Sequence, residues 1–403
     1  MSAFAWGLGT DAQWRVALGQ ALGQAFAQRA ARAPGETGAG GDRSPLGFVY
    51  VTAELRCQLA DLVGALREHS AVEHWVGAVA HGVCAGTREI ADEPAIALML
   101  ADFPVGAVRV FSGRDPPPAA PERDARGVTR AHTALVHADP ATPDLPELVA
   151  DMAARTATGF LFGGVVASPQ GSAETQIADT PLSGGLSGAL FASSVPVLTR
   201  VTQGASPIAG EHQITACSSQ FITELDDRPA LDVLLADLDV SEQVRTSRDG
   251  EAIMQALPLD RLGQGLFVGL TSGNPDRGIG FGDYTIRNVV GIDPQTRVVA
   301  VAALPKAGDR AVFCTRDRRA ARRDLTRVCT ELRAQVEEDR LEVRGALYHS
   351  CVARGEHLFG AKGAELEIIR HNLGEIPLIG FHAGGEIARD RIHAHTGVLT
   401  LFV

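Results

Sequence analysis

The chain has 403 residues, with 37 Lys and Arg against 48 Asp and Glu, a net charge of −11, and 45% hydrophobic residues. A chain this long buries about three-quarters of the surface that its unfolded form exposes, so it needs no covalent staple. The negative balance argues against a general binder of nucleic acid or anionic membranes, since both rest on cations facing phosphates. Its six cysteines, Cys57, Cys84, Cys217, Cys314, Cys329 and Cys351, show no CxxC pair and no even framework. Reduced thiols in a cytoplasm are therefore expected, not a zinc ribbon or a secreted scaffold. No basic stretch followed by an apolar one opens the chain, and no apolar run approaches a bilayer span, so no membrane association is expected.

In chain order, residues 11–33 read as a helix with Asp11 as N-cap and Trp14, Leu18, Leu22 and Phe26 as its apolar stripe. The glycine-rich segment 34–45 reads as a flexible linker, because such sequence gains too little burial to offset its ordering entropy. A unit then begins: strand 48–51, helix 54–68, strand 75–79, strand 95–100. A second follows with strand 131–137, helix 146–155, strand 160–166 and strand 187–192. A third closes the chain with strand 343–351, helix 362–372, strand 377–381 and strand 397–403. Apolar runs of strand length give these strands, and apolar residues at helical spacing give the helices between them.

Three strand–helix–strand–strand units predict an α/β protein of mixed or antiparallel-rich sheets flanked by helices, in two closely packed halves. Shared sheets are expected in preference to beads on a string. The middle, 195–310, reads as strand-rich, with candidates at 213–223, 265–270, 284–292 and 298–303 and a helix at 229–238. After Cys314 comes a helix whose first turns carry Arg316, Arg318, Arg319, Arg322, Arg323 and Arg327. That face reads as an anion or partner site, or as a solvated surface paired with Asp317, Asp324 and Glu331. The loop 112–127 reads as disordered; the loop 168–185 reads as disorder or as a cover over a pocket beside Gly163 and Gly164.

The chain resembles the FIST family, paired N-terminal and C-terminal sensory domains of signal transduction. The residues that carry this are Val76-Gly77 through Gly82, the Phe162-Gly163-Gly164 strand end, and Glu224-Leu225 with Arg228-Pro229-Ala230-Leu231. Further along they are Tyr284-Thr285-Ile286-Arg287-Asn288, Gly291-Ile292-Asp293-Pro294, His349-Ser350-Cys351 through Gly355, Gly380-Phe381, Gly385-Glu386-Ile387 and His395-Thr396. The resemblance divides the chain into an N-terminal helix and linker over 1–45, a FIST N-terminal-like domain over 46–225 and a C-terminal-like domain over 226–403. It implies a non-catalytic sensor of a small molecule, with amino acids the class usually proposed for bacterial members. No kinase, cyclase or chemotaxis output segment is recognisable, so an unidentified signalling partner protein is expected to carry the output.

The chemistry points the same way. Phosphate-loop, HExxH and dinucleotide signatures are missing, Ser187 fails the nucleophile-elbow pattern, and neither cofactor nor metal is expected. His382, Glu386, His393 and His395 are metal-ligand types, and the His382/Glu386 separation would suit a helix, but that stretch reads as strand and turn, which spoils the spacing. His349 and Cys351 share one face of a strand, which leaves two readings: an activated thiol in an enzyme acting on a small amino compound, or a buried inert cysteine. Arg354 and Glu386 suit the carboxylate and ammonium of an α-amino acid. Around them the expected ligand-binding set is Cys351, His382, Gly384, Gly385, Gly163 and Gly164, with Arg287 and Asn288 as further polar contacts. A protein-interaction scaffold built on the arginine-rich helix is the other alternative.

Overall fold

The computed structural model describes residues 4–31, 43–121, 123, 127–167, 174–258, 262, 265–271 and 284–403. The linker 34–42, residues 168–173 of the second loop and the glycine run 278–282 lie outside them. The described chain forms two compact units, one of residues 1–202 and 325–403 and one of residues 203–324.

The first unit opens with β1 (Ala5–Thr10) and α1 (Trp14–Ala30). The first repeat supplies β2 (Arg43–Thr52), α2 (Leu59–Ser70), β3 (His74–Ala80), the hairpin β4 and β5 (Gly82–Ala85, Arg88–Ala91), β6 (Ala95–Pro104) and β7 (Val108–Phe111). The second supplies β8 (Thr133–Ala138), α3 (Leu145–Ala154), β9 (Leu161–Val165), the hairpin β10 and β11 (Gln176–Ala178, Thr180–Leu182), β12 (Leu186–Phe191) and β13 (Val197–Thr202).

In the second unit lie β14 (Ala205–Pro207), β15 (His212–Ser218), β16 (Phe221–Leu225), β17 (Arg228–Pro229) and α4 (Ala230–Asp237), followed by α5 (Glu242–Arg245) and α6 (Gly250–Ala256). It continues through β18 (Leu266–Thr271), β19 (Thr285–Asp293), β20 (Val298–Val301), β21 (Arg310–Arg316) and the start of α7 (Arg318–Glu338). The third repeat then gives β22 (Gly345–Cys351), α8 (Gly355–Phe359), α9 (Ala364–Leu373), β23 (Leu378–Ala383), the hairpin β24 and β25 (Gly385–Arg389, Arg391–His393) and β26 (Gly397–Phe402).

The repeated unit read from the sequence is present in all three copies. In each, the first strand pairs parallel with the second across a helix and antiparallel with the last. The copies also exchange strands. The hairpin of the first repeat extends the third sheet, that of the second extends the first, and that of the third extends the second. Likewise β7 joins the second sheet and β13 the third, so the six-stranded sheets run β1-β6-β2-β3-β10-β11, β25-β24-β9-β8-β12-β7 and β13-β26-β22-β23-β4-β5. Alternation along the strands sends Phe48, Tyr50, Leu135, Phe162, Leu347, Phe381 and Phe402 into one common core. Val49 and Val51 face the other way, under α1 and α2, and Val136 and Leu161 pack with α3.

One glycine recurs at the same register in every copy. Gly77 lies beside Val49, Gly163 beside Val136 and Gly380 beside Tyr348. A Cβ at these positions would sit 1.8, 1.9 and 1.7 Å from the carbonyl oxygen of that neighbour. No side chain fits there, which explains why each second strand is interrupted by glycine.

The strand β1 was not expected, and its glycines explain why: Gly7 and Gly9 depress strand propensity, yet they let α1 sit directly on the strand. A Cβ on either would lie 1.8 Å from a helix carbonyl, that of Ala21 or Ala17. The buried stripe of α1 is accordingly Ala17, Leu18, Ala21, Leu22 and Ala25, and Phe26, expected inside, is 37% exposed. Gln20, Gln24 and Gln28, one helical turn apart, hydrogen-bond the backbone of Thr10, Leu8 and Trp6, residues two apart on β1. Four residues of helix and two of strand both span about 6 Å, so the side chains satisfy an edge that would otherwise remain open.

The second unit is a closed barrel in the order β21-β15-β16-β20-β19-β18, completed by antiparallel pairing of β18 with β21. Its core joins Ile214, Ile222, Val268, Val299, Val301 and Phe313 to Leu231, Leu234 and Leu235 of α4. The run read as one strand over 213–223 is two, turned at Ser219, which takes φ +53°. His212 bridges Asp226 at 2.6 Å and Asp237 of α4 at 3.0 Å. The hydrogen bond to Asp237 raises the imidazole pKa, partial burial opposes it, and Asp226 adds to the rise.

Three outcomes test this description. Gly380→Ala is expected to lower unfolding stability by about 2–3 kcal/mol in urea titrations. Gly23→Ala, at an exposed position of α1 with nothing within 4 Å of the new methyl, is expected to gain up to about 1 kcal/mol. The raised pKa of His212 means that its contribution is complete below pH 6.5 and is lost as pH rises through the folded value. Urea titrations of the barrel from acid to alkaline pH should show that decline, and His212→Asn should flatten it.

Candidate functional site

The end of β22 sorts its side chains by alternation. Tyr348 and Ser350 point one way, His349 and Cys351 the other. Arg354 follows at the start of α8, and Glu365 stands in the first turn of α9; both are buried. The Arg354 guanidinium binds Glu365 through Nε at 2.8 Å and Nη2 at 2.7 Å, and Nη1 donates to the Thr202 carbonyl at 3.3 Å. Tyr348 Oη donates to the same carboxylate at 2.8 Å and Ser350 Oγ at 2.9 Å. Burial alone would raise the Glu365 pKa, but the Arg354 charge and these hydrogen bonds hold it below the ordinary value.

Glu386 is handled in the opposite way. It too is fully buried, on β24, where Oε2 accepts from the Thr396 backbone N–H at 3.0 Å and from Thr396 Oγ1 at 2.6 Å. Its Oε1 meets no nitrogen or oxygen partner. Burial pushes this carboxyl up to about 8, against the Thr396 hydrogen bonds, the Arg354 charge and the Cys351 thiol.

The exchanged hairpins place Glu386 in a level shared by all three sheets. Across the second sheet the registered row is His137, Gly164, Glu386; across the first it is Tyr50, Ala78, Gln176; across the third it is His349, Phe381, Val83. Registered neighbours on adjacent strands point to the same face, so these side chains meet inside. Gly164 leaves the position between His137 and Glu386 without a side chain, and a Cβ there would lie 2.8 Å from that of Ala383. Tyr50 Oη lies 3.3 Å from Nε2 of His137 and 3.3 Å from Nε2 of His349. The Phe381 ring packs against all three, with centroids 4.8, 5.9 and 5.0 Å from Tyr50, His137 and His349.

Burial pushes the His137 pKa down to about 3 and the His349 pKa well below its ordinary value, so both rings are neutral at pH 7. One hydroxyl then serves two neutral imidazoles; it has a single proton to give, so at least one Nε2 carries its own proton and donates to Tyr50. At least one Nδ1 therefore carries a lone pair, and neither Nδ1 has a partner. With the Glu386 carboxyl they give this level a buried acceptor and a titratable group. On the remaining side Ser187 Oγ donates to Gln176 Oε1 at 2.5 Å, and Gln176 is satisfied through the carbonyls of Gly184 and Gly185.

The first unit thus contains Arg354, Glu386, Cys351, His382, Gly384, Gly385, Gly163 and Gly164, while Arg287 and Asn288 lie on β19 of the barrel. His382 faces away from Phe381 along β23 and lies 3.4 Å from Glu89, whose Oε2 accepts from the Gly363 N–H at 2.9 Å. His349, on the same face as Cys351, has its Nε2 turned to Tyr50, and burial opposes the imidazolium that taking a thiol proton would create. Among the described residues no group of three or more His, Cys, Asp or Glu is placed to hold a metal.

Sequence reasoning missed Glu365, Tyr50, His137 and Thr396. Glu365 carried a signal, since it falls in the buried stripe of α9 with Leu366, Ile368 and Ile369. Tyr50 and His137 carried one only through the alignment of the repeats.

The family models agree with this architecture: the FIST N domain matches residues 45–228 and the FIST C domain residues 230–389. The boundary between the matched segments falls within the barrel unit, just before α4. The chain is 30% identical over 364 residues to the uncharacterized protein Rv0628c of Mycobacterium tuberculosis (strain ATCC 25618 / H37Rv), covering 86% of this chain and 88% of that one. It is 29% identical over 411 residues to the uncharacterized protein Mb0898c of Mycobacterium bovis (strain ATCC BAA-935 / AF2122/97), covering 98% of each. The chain belongs to the FIST family, whose domains are sensory modules of signal transduction.

Proposed function

We propose that this sensor binds a small amine-bearing molecule, an amino acid by preference, at the inner level of the first unit, with Glu386 receiving the ammonium group. One observation carries the reading: a fully buried carboxyl is held by Thr396 on one oxygen and otherwise meets only the Cys351 thiol, a weak donor. A buried carboxyl of that kind is stabilised by a matched cation. The neighbouring Arg354 is already engaged by Glu365, so it acts on the site through its field and by positioning the β22 end. The unpartnered Nδ1 atoms of the neutral His137 and His349 rings supply hydrogen-bonding positions for the remainder of the ligand. Cys351, Gly163, Gly164, Gly384 and Gly385 belong to the same strand ends and form the surroundings of the ligand; His382 stands on the outward face of β23.

The ligand signal passes to a partner protein in the cytoplasm. All six cysteines are free thiols, which fits a reducing compartment, and no helix among the described residues is long and apolar enough to cross a membrane.

Glu386 supplies the test. With the folded pKa near 8, the native state keeps a proton that the unfolded state releases above about 4.5, so stability falls as pH rises between those values. Glu386→Gln should remove that decline without unfolding the protein. An ammonium ligand pairs with the carboxylate, so its affinity should increase as pH approaches 8 and its binding should release a proton. In thermal-shift titrations, a bound amino acid at about one hundred times its Kd should stabilise the protein by about 2.7 kcal/mol. The same compound lacking its amino group should give no shift, and Glu386→Gln should abolish the effect. Equal shifts from the deaminated acid, or full binding by Glu386→Gln, would overturn the proposal.

A further inference from the structure

Helix α7 begins with four exposed arginines, Arg318, Arg319, Arg322 and Arg323, in its first two turns. None of them makes an ion pair with any described residue. The acids that the sequence offered as partners are engaged elsewhere. Asp317 caps the helix, accepting from the Ala320 N–H at 2.7 Å. Asp324 is buried and accepts from the backbone N–H groups of Gln203 at 2.7 Å and Gly204 at 3.3 Å. Glu331 lies 2.6 Å from Arg327, further along the helix.

This arrangement works against the helix that carries it. The pairs 318/322 and 319/323 are like charges four residues apart, which repel, and all four stand at the positive end of the helix dipole. The first turn itself holds no acidic residue, and the acid at this end, the N-cap Asp317, is turned to the Ala320 N–H. A local rule broken twice, with no ion pair among the described residues to offset it, points to a surface kept for something outside the chain. A concentrated positive patch on a chain of net charge −11 also selects the shape of that partner. From residue 318 to 323 the helix rises only about 7.5 Å. A long polyanion would extend beyond the patch by more than the screening length of about 8 Å, over a chain whose net charge is −11. A short acidic stretch would not, and the planar guanidinium fork matches carboxylates.

We infer that the first two turns of α7 are a docking surface for a short acidic segment of a partner protein. The inference stands on the barrel unit alone and is independent of the ligand reading.

The test uses the full chain and fluorescein-labelled octaglutamate, read by anisotropy. Binding is expected at low ionic strength and should weaken about tenfold or more between about 20 and 200 mM sodium chloride. The variants R318Q/R322Q and R319Q/R323Q should each weaken it severalfold, and the quadruple variant should abolish it. All three should melt at or above the wild-type temperature, because they relieve repulsion. Undiminished binding by the quadruple variant, or no binding by the wild type at low salt, would overturn the inference. So would tighter binding, at equal salt, of a short DNA duplex or of phosphatidylglycerol vesicles.

Discussion

The inner level of the first unit depends on the hairpin that each repeat contributes to the sheet of another. Glu386 reaches Gly164, and through it the row of His137, only because β24 pairs with β9. Gln176 stands beside Ala78 by the same exchange between β10 and β3. The exchange also makes the sheets interdependent, since each takes strands from more than one repeat. The level at their common centre is therefore built from all three sheets.

Within that frame two buried carboxyls have been given opposite states. Glu365 faces a guanidinium and two hydroxyl donors, and it stays ionised in the core. Glu386 has Thr396 on one oxygen and no nitrogen or oxygen partner on the other, and burial dominates. Divergent environments for like groups are a recurrent mark of functional sites. The two imidazoles held neutral around Tyr50 extend the contrast. The neutral rings make the level polar without giving it charge.

Much of the architecture was legible because its causes are local. Apolar runs of strand length and the helical spacing of Leu55, Leu59, Leu62 and Leu66 located the repeated unit, and the order of strands and glycines carried the family. What remained hidden depends on distant pairing. The hairpin exchange joins residues such as Phe381 and Val83, far apart in sequence, and no periodicity reports it. Barrel closure between β18 and β21 is of the same kind. The strand β1 stayed hidden for the opposite reason: its glycines, needed for contact with α1, look like loop. At the site, Arg354 and Glu386 stood out as charges beside apolar strands. Glu365 was passed over as an ordinary residue of a helix start, although it is the carboxylate that Arg354 binds.

The central claim is that Glu386 is a buried carboxyl poised to change charge when a cation arrives. Carbon NMR of protein labelled at the glutamate carboxyls measures this directly, with the Glu386 signal identified by its loss in Glu386→Gln. The account predicts one carboxyl titrating near pH 8 while that of Glu365 remains ionised through the neutral range, and a downward shift of the Glu386 midpoint when an amino acid binds. A Glu386 signal that titrates with the exposed carboxyls, below pH 5, would contradict it.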